Sequence, residues 1–147
     1  MSLQDWLNNK WIKKHTSSAQ EINNLLEIVE RDIKDADYRQ VSPDWRFGIA
    51  YNAALKLCTI LLYAEGFRPE RNLAHYRTIQ SMPLILGTDK ENDATYLNTC
   101  RTKRNTLEYD YAGGIAHEEA DELLDFVSEL KKDVIDWIWK KHPELMT

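Results

Sequence analysis

One stretch of the sequence decides the fold: Asp93-Ala-Thr-Tyr-Leu-Asn-Thr-Cys-Arg-Thr-Lys-Arg-Asn-Thr-Leu-Glu-Tyr-Asp-Tyr111. Within it, apolar or aromatic side chains and one arginine recur every three or four residues, at Leu97, Cys100, Arg104, Leu107 and Tyr111. This spacing is typical of the inward face of an α-helix that packs in a bundle. We therefore predict a long helix here, which ends at Gly113-Gly114.

Arg104 stands in the middle of that inward face. A guanidinium stays protonated and is costly to remove from water, so at such a position it needs acidic partners, backbone carbonyls or a bound anion. In one interpretation Arg104 pairs with Glu108 one turn later and reaches the surface. In the other it faces a cleft and meets a phosphate group there. The sequence leaves both interpretations open.

Similar patterns predict the rest of the fold. Helices are expected over residues 4–14, from Ser18 to about Ala36, from Pro43 to Glu65, over part of 67–88 with an interruption at Pro83, and from about His117 to Lys141. Ser18 and Glu21 suit a capping box, and Ser42 suits the cap of the next helix. No stretch alternates with a period of two. The predicted fold is all-α, an up-and-down bundle of four long or medium helices with a short extra N-terminal helix.

Length and composition indicate one soluble domain with its core at about residues 16–141. The chain has 147 residues, 43% of them hydrophobic, and a formal net charge of −5. An acidic chain has no global field that attracts nucleic acid or membrane, so any nucleic-acid contact has to be local. The longest apolar stretch, around 53–64, is shorter than a membrane span, and the first residues lack the apolar run of a signal peptide. Because Cys58 and Cys100 fall in helical apolar patterns, they predict reduced core residues of a cytoplasmic protein.

The sequence lacks the motifs of several known metal-binding and catalytic sites. Di-iron bundles need Glu-x-x-His on two helices, whereas Ile12, Asn72, Gly114 and Trp139 precede the four histidines by three positions. The run from His117 to Asp121 has aspartate where a zinc-protease helix has its second histidine. The sequence also lacks a glycine-rich phosphate loop, a Cys-x-x-Cys pair and a nucleophile elbow. We expect no metal and no cofactor.

Three groups of residues carry a family resemblance: Trp45-Arg46-Phe47 with Ala50-Tyr51-Asn52-Ala53-Ala54-Leu55 and Tyr63-Ala64-Glu65-Gly66-Phe67-Arg68; Ala74-His75-Tyr76; and Arg101-Thr-Lys-Arg104-Asn105 with Tyr109-Asp110-Tyr111. Together they resemble the HEPN domain (higher eukaryotes and prokaryotes nucleotide-binding), as a divergent bacterial branch, over roughly residues 16–140.

The resemblance implies a bundle of four or five helices that is usually a homodimer. Many such domains carry an Arg-x4–6-His motif near the dimer cleft and cut RNA without a metal. The arginine stabilises the phosphate, and the histidine is acid or base in attack by the 2′-hydroxyl. Such domains are common in toxin–antitoxin and other defence modules, often beside a nucleotidyltransferase partner. The motif falls here on Arg104, Asn105 and Tyr109, and Tyr111 occupies an aromatic position of its extended form.

The sequence departs from this motif at the catalytic position. Tyr109 stands where the histidine belongs, and a phenol, with a pKa near 10, is a poor general base at neutral pH. His117 lies beyond the glycine pair, and His75 lies on another helix, so the sequence leaves open whether His75 reaches Arg104. We therefore expect catalysis to be absent or weak, with Arg104 and Tyr109 as the catalytic residues if the protein is active.

Three functions follow from these observations. The first is a non-catalytic module that binds RNA, a nucleotide or a protein partner through an arginine-centred cleft; its expected ligand-binding residues are Arg101, Arg104, Asn105, Tyr109, Tyr111 and His75. The second is a metal-independent endoribonuclease. The third is a purely structural dimerisation domain, because Arg and Tyr are enriched at protein interfaces and Trp137 or Trp139 can bury surface there.

Overall fold

The computed structural model describes residues 1–109 and 114–146, and the side chains of all of these except 107–109. The elements are α1 (Leu3–Asn8), β1 (Ile12–Lys14), α2 (Ala19–Ala36), α3 (Pro43–Ala64), β2 (Phe67–Pro69), α4 (Ala74–Leu86), α5 (Glu91–Tyr109) and α6 (His117–Lys141), with 3-10 turns at Thr88–Lys90 and Pro143–Met146. The prediction of an all-α helical bundle is confirmed.

Helix α3 lies at the centre, and α2, α4, α5 and α6 all pack against it. Thirteen of its 22 residues are buried. Within the described chain, α3 is also the one helix that is long and apolar enough to cross a membrane, but 67% of its most apolar window is buried inside the protein. Its apolar character is therefore that of a core helix.

Contacts between side chains near the helix ends show whether the helices run parallel or antiparallel to one another. Arg46, near the start of α3, bonds to Asp121, near the start of α6, and Glu65 and His142, which follow the two helices, lie 3.0 Å apart. Helices α3 and α6 are therefore parallel. Lys90, directly before α5, pairs with Asp133 of α6, and Lys103, in the second half of α5, pairs with Glu119 of α6. Helix α5 is therefore antiparallel to α6 and to α3.

The four long helices α2, α3, α5 and α6 thus alternate in direction along the chain, as expected of an up-and-down bundle. Helix α4 is the shorter addition. It lies between α3 and α5 in the sequence and packs against both.

The predicted helix over residues 4–14 is wrong in its second half. Helix α1 ends at Asn8, Lys10 takes a left-handed conformation with φ 62°, and β1 pairs antiparallel with β2. A three-residue strand is too short to show a period of two. Its partner lies 55 positions later in the chain, in the pairing of Lys13 with Arg68.

Two predicted caps differ in detail. Ser18 accepts the Glu21 N–H as expected, but the Glu21 carboxylate lies 2.7 Å from His15 Nε2, which takes the place of the second bond of a capping box. Ser42 makes no side-chain capping bond at the start of α3. Pro83 does not end α4, which continues to Leu86.

A buried arginine joins three helices at one end of the bundle. Arg46 is only 1% exposed, and its guanidinium donates to the Ala36 carbonyl at 2.7 Å, to His117 Nδ1 at 3.0 Å and to Asp121 Oδ1 at 2.6 Å. The pKa of the Asp121 carboxyl is held below its ordinary value by hydrogen bonds from Arg39 and then from Arg46. The end of α2 and the starts of α3 and α6 are therefore fixed by one side chain.

Replacement of Arg46 by alanine is expected to lower the free energy of unfolding by about 3 kcal/mol. The change leaves a cavity and removes charge-assisted hydrogen bonds in the same place. Urea unfolding of Arg46→Ala checks this against Arg39→Ala, which removes the exposed arginine from the same aspartate. Arg39→Ala is expected to keep the wild-type midpoint, and equal losses in the two variants would refute the special role of Arg46.

Candidate functional site

Arg104 lies where the inward face of α5 meets α3. Leu97 and Cys100, at earlier positions of the same face, are 0% and 4% exposed, whereas Arg104 is half-buried. Its guanidinium carbon is 5.4 Å from the centre of the Tyr51 ring on α3. The side chain of Glu108 falls outside the described residues, so the interpretation that pairs it with Arg104 stays a prediction.

Arg101 lies one turn earlier on α5 and points towards α4. Its Nε donates to Asn98 Oδ1 at 2.9 Å, and its guanidinium carbon is 5.8 Å from the centre of the Tyr76 ring. Both contacts are with neutral groups. Among the residues that the structure describes, these contacts hold Arg101 near a ring in a cation–π arrangement and do not neutralise its charge.

His75, on the first turn of α4, is the histidine that comes close to these arginines. Partial removal from water lowers the pKa of its imidazole, and the positive charges of Arg104, Lys56 and Arg101 lower it further. Two helices thus bring positive charge near one histidine on a third, with Lys56 from α3 and the two arginines from α5. The charge of Arg104 therefore acts on His75, whereas a direct contact between the two side chains stays a prediction.

Tyr51 lies at the buried side of the Arg104 cluster, which consists of Lys56, His75, Arg101 and Arg104. It is 1% exposed, and its hydroxyl has no hydrogen-bond partner among the residues that the structure describes. Burial raises the pKa of Tyr51 to about 12, against the opposing effect of Arg101 and Arg104. The phenol is therefore neutral at physiological pH and contributes a ring face to the arginine above it.

Other predicted residues lie elsewhere or are not described. Lys103, counted on sequence with the basic patch of α5, bonds instead to Glu119 of α6 at 2.5 Å, which raises the pKa of the lysine. Asn105 is half-buried, one turn after Arg101. Tyr109 is the last residue of α5, but its side chain and the whole of Tyr111 fall outside the described residues.

His117 belongs to a different cluster. Its Nδ1 accepts a hydrogen bond from Arg46 at 3.0 Å, so the ring is held at the start of α6. Within the described ranges no group of three or more His, Cys, Asp or Glu residues could hold a metal ion. Cys58 and Cys100 are both buried free thiols, as predicted, and burial raises the pKa of each.

Sequence reasoning missed Lys56 of the Arg104 cluster and the two tyrosine rings beside its arginines. Lys56, Tyr51 and Tyr76 were placed only within apolar patterns or a family resemblance. Tyr51 follows Phe47 by four positions on the core-facing side of α3, and this spacing is a signal of burial and not of ligand binding. Only the packing of α3 against α4 and α5 turns these residues into neighbours of the arginines.

The arrangement is suited to an anion. Four basic side chains, Lys56, His75, Arg101 and Arg104, converge from three helices, and aromatic rings lie beneath both arginines. Guanidinium groups bind phosphate through paired N–H donors. Comparison with models of known protein families, with curated proteins and with solved structures gives no match to this chain.

The depressed pKa of His75 predicts a loss of stability in acid. Because the unfolded chain binds the proton more tightly than the folded one, stability is complete above the ordinary histidine pKa of about 6.5 and falls as the pH drops through the folded pKa. Urea unfolding at pH 7.5 and pH 5 is expected to show a smaller acid loss for His75→Gln than for wild type. Equal losses would contradict the lowered pKa of His75.

The unpartnered Tyr51 hydroxyl predicts an unusual result for its removal. An unsatisfied buried hydroxyl is destabilising, so Tyr51→Phe is expected to leave the free energy of unfolding unchanged or raise it by up to about 1 kcal/mol. Ser81→Ala is the control, because the buried Ser81 hydroxyl donates to the Thr78 carbonyl at 2.7 Å. That control is expected to lose about 1 kcal/mol. Destabilisation by Tyr51→Phe in thermal unfolding would show that the hydroxyl has a partner.

Proposed function

We propose that this chain is a helical module that binds RNA through its backbone phosphates at the cluster around Arg104. The observation that carries the proposal is that the cations Lys56, Arg101 and Arg104 lie around His75, with aromatic rings beside both arginines, in a protein of net charge −5. In an acidic chain a local group of cations has to be assembled against the overall charge. A phosphate is the ligand whose charge and acceptor geometry fit two neighbouring guanidiniums.

The aromatic rings add to this fit. The rings of Tyr51 and Tyr76 lie about as far from the arginine guanidiniums as cation–π pairs require, at 5.4 and 5.8 Å. A planar guanidinium held over a ring donates hydrogen bonds from its edge, so a phosphate can be bound without loss of the ring contact. Such preorganisation lowers the side-chain entropy that binding has to overcome.

The HEPN-like resemblance leads to the same region of the chain by another route. It adds a homodimer, a nucleotidyltransferase-type partner and a toxin–antitoxin or defence setting to the proposal. The proposed cytoplasmic location comes instead from the two cysteines in helical apolar patterns. All four remain proposals. The cationic cluster, by contrast, is argued from contacts and charges alone, so the RNA-binding proposal does not depend on membership of that family.

One observation favours a second function, a metal-independent endoribonuclease. A lowered pKa keeps the His75 imidazole neutral at pH 7, which is the form that accepts a proton from a 2′-hydroxyl. Arg104, close by, would stabilise the charge that develops on the phosphate. In this candidate His75, on α4, takes the role that the Arg-x4–6-His motif gives to a residue on the same helix as the arginine. The catalytic role of Tyr109 stays a prediction.

Binding and cleavage are measured together on a labelled mixed-sequence RNA in a metal chelator. Wild type is expected to bind, and Arg104→Ala is expected to raise the Kd about tenfold or more, because a hydrogen bond between charged groups contributes about 1.5–3 kcal/mol. Lys103→Ala is the matched control, since it removes a cation from the same helix that is already paired with Glu119. Its Kd is expected to stay within about twofold of wild type.

The outcomes separate the candidates. RNA binding without cleavage, weakened by Arg104→Ala, supports the binding module. Cleavage that His75→Ala abolishes while RNA is still bound supports the ribonuclease. Absence of RNA binding by wild type, or equal binding by the Arg104 and Lys103 variants, would refute both and leave the structural dimer.

A further inference from the structure

Arg77, two positions after His75 on α4, packs against two tryptophan rings. Its guanidinium carbon is 3.8 Å from the centre of the Trp11 ring and 5.9 Å from that of Trp6. The two indoles pack edge to face, with centres 5.8 Å apart. Trp6 is buried, whereas Trp11 and Arg77 are both half-buried and reach the surface.

Tyr76 lies between Arg77 with its two tryptophans and the Arg104 cluster. Its half-buried ring lies 5.8 Å from the guanidinium carbon of Arg101 on one side of the helix and 5.6 Å from that of Arg77. Cations and rings therefore alternate across α4 from Arg101 to Trp11. A row of this kind is what proteins that bind single-stranded nucleic acid use, with rings for base stacking and cations for the backbone.

The two short strands continue the row. In the β1–β2 pair Lys13 stands directly opposite Arg68, and because Ile12 is buried at 1% exposure, these two side chains project from the outer face of the ribbon. Like charges directly opposite each other on paired strands are destabilising. One carboxylate, Glu70, offsets them, at 3.9 Å from Lys13. An anion bound across the pair would relieve this repulsion.

The surrounding surface has the same charge. Residues 10–14 and 68–77 contain six Lys and Arg against a single acidic residue, Glu70, although acidic residues outnumber basic ones by 24 to 19 in the whole chain. Lys10, Lys14, Arg68 and Arg71 of this region are exposed. This region therefore carries a net positive charge in an acidic protein, and a surface of that kind suits a polyanion.

We propose that a single strand of RNA runs from the Arg104 cluster across Tyr76, Arg77 and Trp11 to the Lys13–Arg68 pair of the β-ribbon. This inference rests on the proposed function and extends it, because it assigns a second contact region and a single-stranded substrate. A duplex has its bases stacked internally and cannot use the rings. The strand instead places bases against Tyr76 and Trp11 and phosphates against the cations between and beyond them.

The test measures binding of a labelled oligouridylate of about twelve nucleotides by fluorescence anisotropy, between about 50 and 200 mM salt. Lys13→Gln/Arg68→Gln is compared with wild type and with Lys34→Gln/Lys132→Gln. The latter removes two exposed lysines from the outer faces of α2 and α6, on the other side of α3. Circular dichroism confirms that each variant is folded.

The ribbon variant is expected to raise the Kd at low salt about tenfold and to reduce the slope of log K against log salt by about 1.4, or 0.7 for each lost phosphate contact. The control variant is expected to keep the wild-type slope. A duplex of the same length is expected to bind wild type more weakly than the single strand. Equal or tighter binding of the duplex would overturn the single-stranded assignment.

Failure of this inference and failure of the proposed function give different results. If wild type binds the strand and Arg104→Ala weakens it, but the ribbon and control variants have the same Kd and slope, the ribbon contact is refuted and the proposed function stands. If the ribbon variant weakens binding and Arg104→Ala does not, the assigned path is refuted because its first contact is missing. If wild type does not bind RNA, both the inference and the proposed function are refuted.

Discussion

The fold depends on how the charge of Arg46 is accommodated at one end of the core helix. A fully buried guanidinium is tolerated only where acceptors meet it in several directions, and here a carbonyl of α2, a histidine nitrogen and a carboxylate of α6 do so. Each acceptor belongs to an element that must end or begin at that point. The requirement to satisfy one side chain therefore fixes the relative positions of α2, α3 and α6.

The position of α3 that Arg46 fixes also determines where the α3 residues of the candidate site lie. With the start of α3 fixed, Tyr51, five residues after Arg46, presents its ring to Arg104 of α5, and the charge of Lys56, also on α3, acts on His75 in the first turn of α4. Polar contacts farther along, such as the bond from Asn52 to the buried Asp32 at 2.6 Å, hold α3 against α2 on the other side. Arg104 of α5 then packs against a surface of α3 whose position is set by contacts with α2 and α6.

The sequence predicts the long helices because each carries its own periodic signal, from Leu97 and Cys100 on α5 to the apolar stripe of α6. It places an arginine on the inward face of α5, but it does not identify Arg46 as the buried one. The partners of Arg46 lie 10, 71 and 75 positions away, and no local pattern contains them. The β-ribbon and the approach of His75 to Arg104 are missed or left open for the same reason, since both depend on pairing between distant segments.

Arg46 and Arg101 differ in how the protein accommodates their charges. Arg46 is surrounded by acceptors that belong to the protein, so its charge is used in folding. Arg101 is held by a side-chain amide and a ring, which orient it but do not neutralise it. The pKa of His75 is lowered first by partial removal of the ring from water and then by the positive charges of Arg104, Lys56 and Arg101, so an excess of positive charge lies near this histidine. That local excess, maintained against a net charge of −5, has a destabilising effect in the unliganded protein that a bound polyanion would remove.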